Sequence, residues 1–168
     1  TLVEPEVRHC FFEWNYVADV DSILNHVSAR RVRETLGEVL AEEFQPADAD
    51  LVTYLPRCPE VAARTYAKKT NLPFEPVFYK MRGERSFQGS TAQDRKRSID
   101  ENLHLLPGLA PYLNGKTVIL IDDSIVRGNN SVRATQLLVN EAGVKKVYLV
   151  SYTPPIGIIP ADGIPRGC

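Results

Sequence analysis

Thr117-Val118-Ile119-Leu120-Ile121-Asp122-Asp123-Ser124-Ile125-Val126-Arg127-Gly128-Asn129-Asn130-Ser131 decides how this chain is read. Its first five residues are apolar or β-branched and follow the turn residues Asn114-Gly115, which predicts a central strand. Two adjacent carboxylates stand at the strand's carboxyl end. A short polar loop with one glycine then leads into a helix marked by Val132, Ala134, Leu137, Leu138 and Ala142, and Gly143 sits where a left-handed C-terminal cap belongs. Val147–Val150 reads as the next strand. Strand, helix and strand within about 35 residues form a βαβ unit.

The chain upstream fits the same architecture. Residues 9–17 are rich in aromatics and read as a strand, and Asp19-Val20-Asp21-Ser22 reads as a turn. From Ser28, the apolar residues Ala29, Val32, Leu36, Val39 and Leu40 recur at helical spacing, with Arg30, Arg31, Arg33, Glu34, Glu38 and Glu42 elsewhere around the wheel. This helix ends near Phe44. Leu51–Leu55 is a short apolar run suited to a strand buried on both faces and stopped by Pro56. Pro59-Glu60 can open a second helix with Val61, Ala62, Tyr66 and Ala67 on its apolar side, ending before Asn71. Pro76–Tyr79 is a third strand candidate. Lys80 to Ser98 is polar and rich in basic residues, the best candidate for a flexible loop, and weak helical signals return over Ile99–Leu106. The expected fold class is α/β, a mostly parallel sheet with helices on both faces.

Composition limits what this fold can do. The 168 residues suit one domain, 1–168, either whole or as a fragment of something longer, and 43% hydrophobic against 24% charged residues supports a real core. A net charge of -1 gives no global field toward nucleic acid or an anionic membrane, so any anion must be held locally. No run reaches the roughly 20 apolar residues of a membrane span, and a cytoplasmic location is expected. The apolar first 25 residues, with Phe12 and Trp14, suggest a homo-oligomer contact. Three widely spaced cysteines argue against a disulfide framework, and Cys10 reads as a small buried hydrophobe. His9, His26 and His104 show no metal-ligand spacing.

Chemistry concentrates after the central strand. Ligands of open α/β sheets bind at the carboxyl ends of strands, and a loop entering a helix N-terminus offers N–H groups to phosphate. Asp122 and Asp123 suit a pair of ribose hydroxyls or a magnesium ion. An ordinary βα loop with one capping and one solvated Asp would also give this pattern.

The 118–131 stretch resembles the phosphoribosyl pyrophosphate (PRPP) motif of the type I phosphoribosyltransferases, most closely in the family of glutamine amidophosphoribosyltransferases. Phe12-Glu13-Trp14-Asn15-Tyr16-Val17-Ala18 with Asp21-Ser22, Lys80-Met81-Arg82 with Arg85-Ser86-Phe87, and Thr153-Pro154-Pro155-Ile156 are similar to further segments of that family in the same order. The resemblance is to its phosphoribosyltransferase half, without the glutaminase domain. It implies that Asp122 and Asp123 bind the ribose hydroxyls and magnesium. It implies also that Ser124, Ile125, Val126, Arg127, Gly128, Asn129 and Asn130 hold the 5′-phosphate, while Lys80, Arg82 and Arg85 close over pyrophosphate. The activity implied is displacement of pyrophosphate from ribose C1 by ammonia, supplied free or by a separate glutaminase, to give 5-phosphoribosylamine in purine biosynthesis.

The sequence departs from the family at Leu55-Pro56-Arg57-Cys58-Pro59-Glu60, where a second pyrophosphate-binding loop is expected. Cys58 is a poor ligand for hard magnesium, Pro59 lacks an N–H, and Arg57 could bind pyrophosphate itself. The alternatives are a PRPP-sensing module without turnover and a nucleobase phosphoribosyltransferase. Some family members hold an iron–sulfur cluster through four cysteines. Cys10 and Cys168 match two of those ligands, so a cluster is not expected in this chain alone.

Overall fold

The computed structural model describes residues 9–80, 102–125 and 128–153. Its centre is a three-stranded parallel sheet of β3 (Leu51–Tyr54), β6 (Thr117–Asp122) and β7 (Lys146–Ser151), with β6 in the middle. Leu51 pairs with Val118 on one side, and Asp122 pairs with Ser151 on the other. Every residue of β6 is buried. Its side chains alternate: Val118 and Leu120 face a core with Leu137, Leu138 and Ala134, whereas Ile119 and Ile121 face one with Tyr66, Ala62 and Leu40. Helices therefore cover both faces, as the doubly apolar strand predicts.

The first of these helices, α1 (Ala29–Glu43), starts at Ser28, whose side chain accepts the N–H of Arg31. It packs on α2 (Glu60–Thr70), which ends at Asn71 in the left-handed conformation. Contact between them is close at Gly37, where an added Cβ would lie 2.3 Å from the carbonyl oxygen of Ala62. On the opposite face, a four-residue α3 (Ala110–Leu113) precedes β6, and α4 (Asn129–Gln136) continues as a π-helical turn over Leu137–Glu141 to Gly143 at φ 66°. A two-stranded antiparallel pair, β4 (Phe78–Lys80) and β5 (Leu103–Leu105), lies beside the sheet. Glu75 donates its N–H to Val52 and Val77 donates to the Thr53 hydroxyl, so the chain entering β4 runs along β3 and delivers Lys80 near the sheet's carboxyl edge. Among the described residues, no helix is long and apolar enough to cross a membrane.

Several expectations are corrected. Residues 13–17 form a π-helical turn, Glu13–Val17, and the short hairpin β1 (Ile23–Leu24) and β2 (Val27–Ser28) follows it. The aromatics that suggested a strand are satisfied locally: Trp14 donates its Nε1–H to Val27 and meets His9 edge to face, and Phe11 packs on Phe12. Tertiary contact overrides β propensity there. Arg33, assigned to the polar side of α1, is only 3% exposed, whereas Val39, assigned to its apolar side, is 43% exposed. Val132 likewise faces solvent. Leu103–Leu105, within the weak helical signal, is strand because it pairs with β4. Cys10 is disulfide-bonded, which the odd count and wide spacing of the cysteines did not signal. The polar stretch expected to form a flexible loop falls, beyond Lys80, outside the described residues.

Candidate functional site

The carboxyl end of β6 presents Asp122 and Asp123, which are 8% and 7% exposed. Both are tied down. Asp122 accepts the backbone N–H of Asp123 at 2.9 Å and the Ser131 hydroxyl at 3.3 Å, and Asp123 accepts the Ser124 hydroxyl at 2.9 Å. From the neighbouring strand end, Ser151 and Thr153 donate their hydroxyls to the Asp123 carbonyl at 3.2 and 2.7 Å. The register that sets Asp122 beside Ser151 makes these last contacts possible.

Two adjacent buried carboxylates are electrostatically expensive. Burial first, and then the charge of Asp123, push Asp122 up to about 7, against the opposing bonds from Asp123 N–H and Ser131 and the charge of Lys80. Asp123 is also raised by burial, and Ser124, Cys58 and the charge of Arg33 oppose that rise. The protein alone thus disfavours ionising both members of the pair. A cation or hydroxyl donors brought by a ligand would complete it.

Four further residues converge there. The Lys80 ammonium is lowered by burial and then by Arg57, while Cys58, Asp122 and Asp123 act in the opposite direction, which places all five groups within electrostatic reach. Arg57 is exposed and follows a cis Pro56–Arg57 peptide bond, and Cys58 donates its thiol to the Tyr16 carbonyl at 3.7 Å. Beneath them, Tyr152 is 7% exposed and its hydroxyl has no hydrogen-bond partner among the described residues; the ionisable groups around it include Asp123, Cys58, Arg33 and Asp122.

On the other side of the acidic pair, Gly128 takes φ 71° immediately before α4, and no side chain caps this helix. Its first-turn N–H groups lack intrahelical acceptors and carry the positive end of the helix dipole. Ile125, Asn129 and Asn130 are exposed around that end. The arrangement offers an anion cradle beside an acidic pair, with two cations beyond.

Of the residues singled out from sequence, Arg57, Cys58, Lys80, Asp122, Asp123 and Ser124 are brought together, and Gly128, Asn129 and Asn130 form the adjoining helix start. Val126, Arg127, Arg82 and Arg85 lie outside the described residues. Among the described residues, no three His, Cys, Asp or Glu side chains gather as a metal site. Sequence reasoning gave no site role to Arg33, Ser131, Ser151 and Tyr152, and singled out Thr153 only as part of a family-like segment. The pairing of β6 with β7 could have signalled Ser151, Tyr152 and Thr153, since it aligns the two strand ends, Asp122 with Ser151.

No protein-family model matches this chain. Curated relatives do: it is 35% identical over 148 residues to an amidophosphoribosyltransferase of Archaeoglobus fulgidus, covering 88% of this chain and 31% of the relative. It is 36% identical over 151 residues to that of Homo sapiens, covering 89% and 28% respectively. A solved structure of glutamine PRPP amidotransferase from B. subtilis, complexed with ADP and GMP, superposes with a TM-score of 0.71 at 31% identity, covering 94% of this chain and 34% of the other. The same values hold for a structure of the allosteric regulatory enzyme of purine biosynthesis. The chain spans about a third of the length of the relatives it matches.

Proposed function

We propose, from a chain that resembles the phosphoribosyltransferase part of the amidophosphoribosyltransferases and shares their fold, that it binds PRPP and transfers its phosphoribosyl group to ammonia. The observation that carries this reading is the juxtaposition of the buried Asp122–Asp123 pair, the uncapped start of α4 at Gly128, and the cations Lys80 and Arg57. An acidic pair between an anion cradle and a cationic edge suits a ribose whose hydroxyls meet the carboxylates and whose two ends carry phosphates.

In this reading the 124–130 loop holds the 5′-phosphate, Asp122 and Asp123 accept from the ribose hydroxyls, and Lys80 and Arg57 meet pyrophosphate, joined by Arg82 and Arg85. The C1–oxygen bond to pyrophosphate breaks, a C1–nitrogen bond forms, and the nitrogen loses a proton. Cations placed at the leaving group stabilise the charge that develops on it. Magnesium fits the oxygen donors present: one or two carboxylates with the remaining ligands drawn from the substrate is its usual mode, and when bound it would neutralise pyrophosphate charge. Ammonia would come free or from a glutaminase. The whole is proposed as a cytoplasmic, homo-oligomeric phosphoribosyltransferase unit, residues 1–168 being one domain of it.

Pyrophosphate release from PRPP with magnesium and ammonium tests the reading. Release should depend on ammonium and fall at least a hundredfold in Asp122→Asn. Release that is absent from the wild type, together with no PRPP-induced rise in its unfolding temperature, would remove the reading.

A further inference from the structure

We propose that Arg33 is a positioning residue that sets the pyrophosphate end of the site through the 13–18 turn, a role that rests on the PRPP-binding reading above. Arg33 projects from α1 into the interior, 3% exposed, and among the described residues forms no direct salt bridge. Its guanidinium instead donates Nε–H to the Trp14 carbonyl at 3.0 Å and Nη2–H to the Ala18 carbonyl at 2.8 Å. One acceptor lies within the π-helical turn, Glu13–Val17, and the other is the residue that ends it, Ala18. Between them, the Tyr16 carbonyl receives the Cys58 thiol at 3.7 Å. The linkage therefore runs from α1 through the turn to the residue beside Arg57, one of the cations assigned to pyrophosphate.

A buried guanidinium is costly unless its donors are used, so its retention needs a reason. Local stability alone would not require it to span two carbonyls four residues apart, and the fork geometry of arginine does so where lysine cannot. Asn15 inside the same turn is fully buried, and neither polar atom of its side chain has a partner among the described residues, whereas Arg33 holds the turn from outside. The charge of Arg33 also reaches Asp123 and Tyr152. A purely electrostatic role at Asp123 is thus the competing explanation. The two roles predict different ligand dependence.

The test compares binding of ribose 5-phosphate, which lacks pyrophosphate, with binding of PRPP at fixed magnesium, in wild type, Arg33→Gln and Arg33→Lys. Positioning through the turn predicts that both variants keep ribose 5-phosphate affinity within twofold and lose at least tenfold for PRPP. It also predicts severalfold faster alkylation of Cys58, located by peptide mapping. Arg33→Lys keeps the charge and covers the case in which the glutamine variant does not fold. Equal loss for both ligands, no loss for either, or a lysine variant that behaves as wild type would overturn the inference. Wild-type protein that binds neither ligand would instead defeat the reading on which it rests.

Discussion

Ser131, in the first turn of α4, donates its hydroxyl to Asp122, the last residue of β6, at 3.3 Å. A helix start and a strand end thereby share one buried carboxylate, and the cradle and the acidic pair move as a unit. Ser131→Ala should cost about 1 kcal/mol of stability by leaving that oxygen without its donor. It should also raise the Asp122 midpoint further, because the lost bond favours the charged form. Chemical denaturation and a carboxylate-resolved NMR titration measure the two effects. An unchanged midpoint would mean that the bond does not reach the ionised state.

The acidic pair sets the pH response of the unliganded protein. Asp122 keeps its proton up to about 7 in the folded state, whereas an unfolded chain releases it near pH ~4. Across that window the folded state binds the extra proton, so this group makes stability fall as pH rises from about 4 to about 7. Asp122→Asn should flatten the curve and be more stable than wild type at pH 8, by on the order of 2 kcal/mol. Thermal unfolding at several pH values checks this, and parallel curves for the two proteins would contradict it.

Ligand binding should run the opposite way. PRPP hydroxyls and a magnesium ion call for ionised carboxylates, so complex formation must expel the proton on Asp122. Affinity should rise roughly tenfold between about pH 6 and pH 8, after subtraction of the ligand's own titration, with a matching proton release. Calorimetry in buffers of different ionisation enthalpy reads that proton directly. Binding without proton release would show that the carboxyl stays neutral in the complex.

Much of this was legible in the sequence because the strongest signals are local. The apolar run into Asp122 and the left-handed cap at Gly143 each belong to a few consecutive residues. What could not be read depends on contacts distant along the chain. Arg33 looks solvated by helical spacing, and only the carbonyls of Trp14 and Ala18 draw it inside. The 13–17 turn carries strand-like aromatics whose partners are a hairpin and His9. Tyr152 enters the site through strand register, which no motif encodes.

Packing between α1 and α2 is testable at Gly37. An added methyl would stand 2.3 Å from the Ala62 carbonyl oxygen, a backbone atom with no rotamer to relieve the overlap. Gly37→Ala gains helix propensity, yet overpacking should dominate and destabilise by about 2–3 kcal/mol. A denaturation midpoint at or above that of wild type would show that the helices separate at little cost.

Tyr152 offers a test in the stabilising direction. Its ring packs with Ile119 and Ile121 beneath the acidic pair, but its hydroxyl is buried with no partner among the described residues. An unsatisfied buried hydroxyl carries the desolvation penalty without a compensating bond, and phenylalanine removes that group at nearly constant volume. Tyr152→Phe should therefore raise stability by about 1 kcal/mol in the absence of ligand. Burial and the nearby Asp123 charge also push the phenol far above its usual titration range, so it stays neutral and this gain should not vary across ordinary pH. Should the variant be less stable instead, the hydroxyl is bonded in solution, and a bound water linking it to Asp123 becomes the species to locate by high-resolution crystallography.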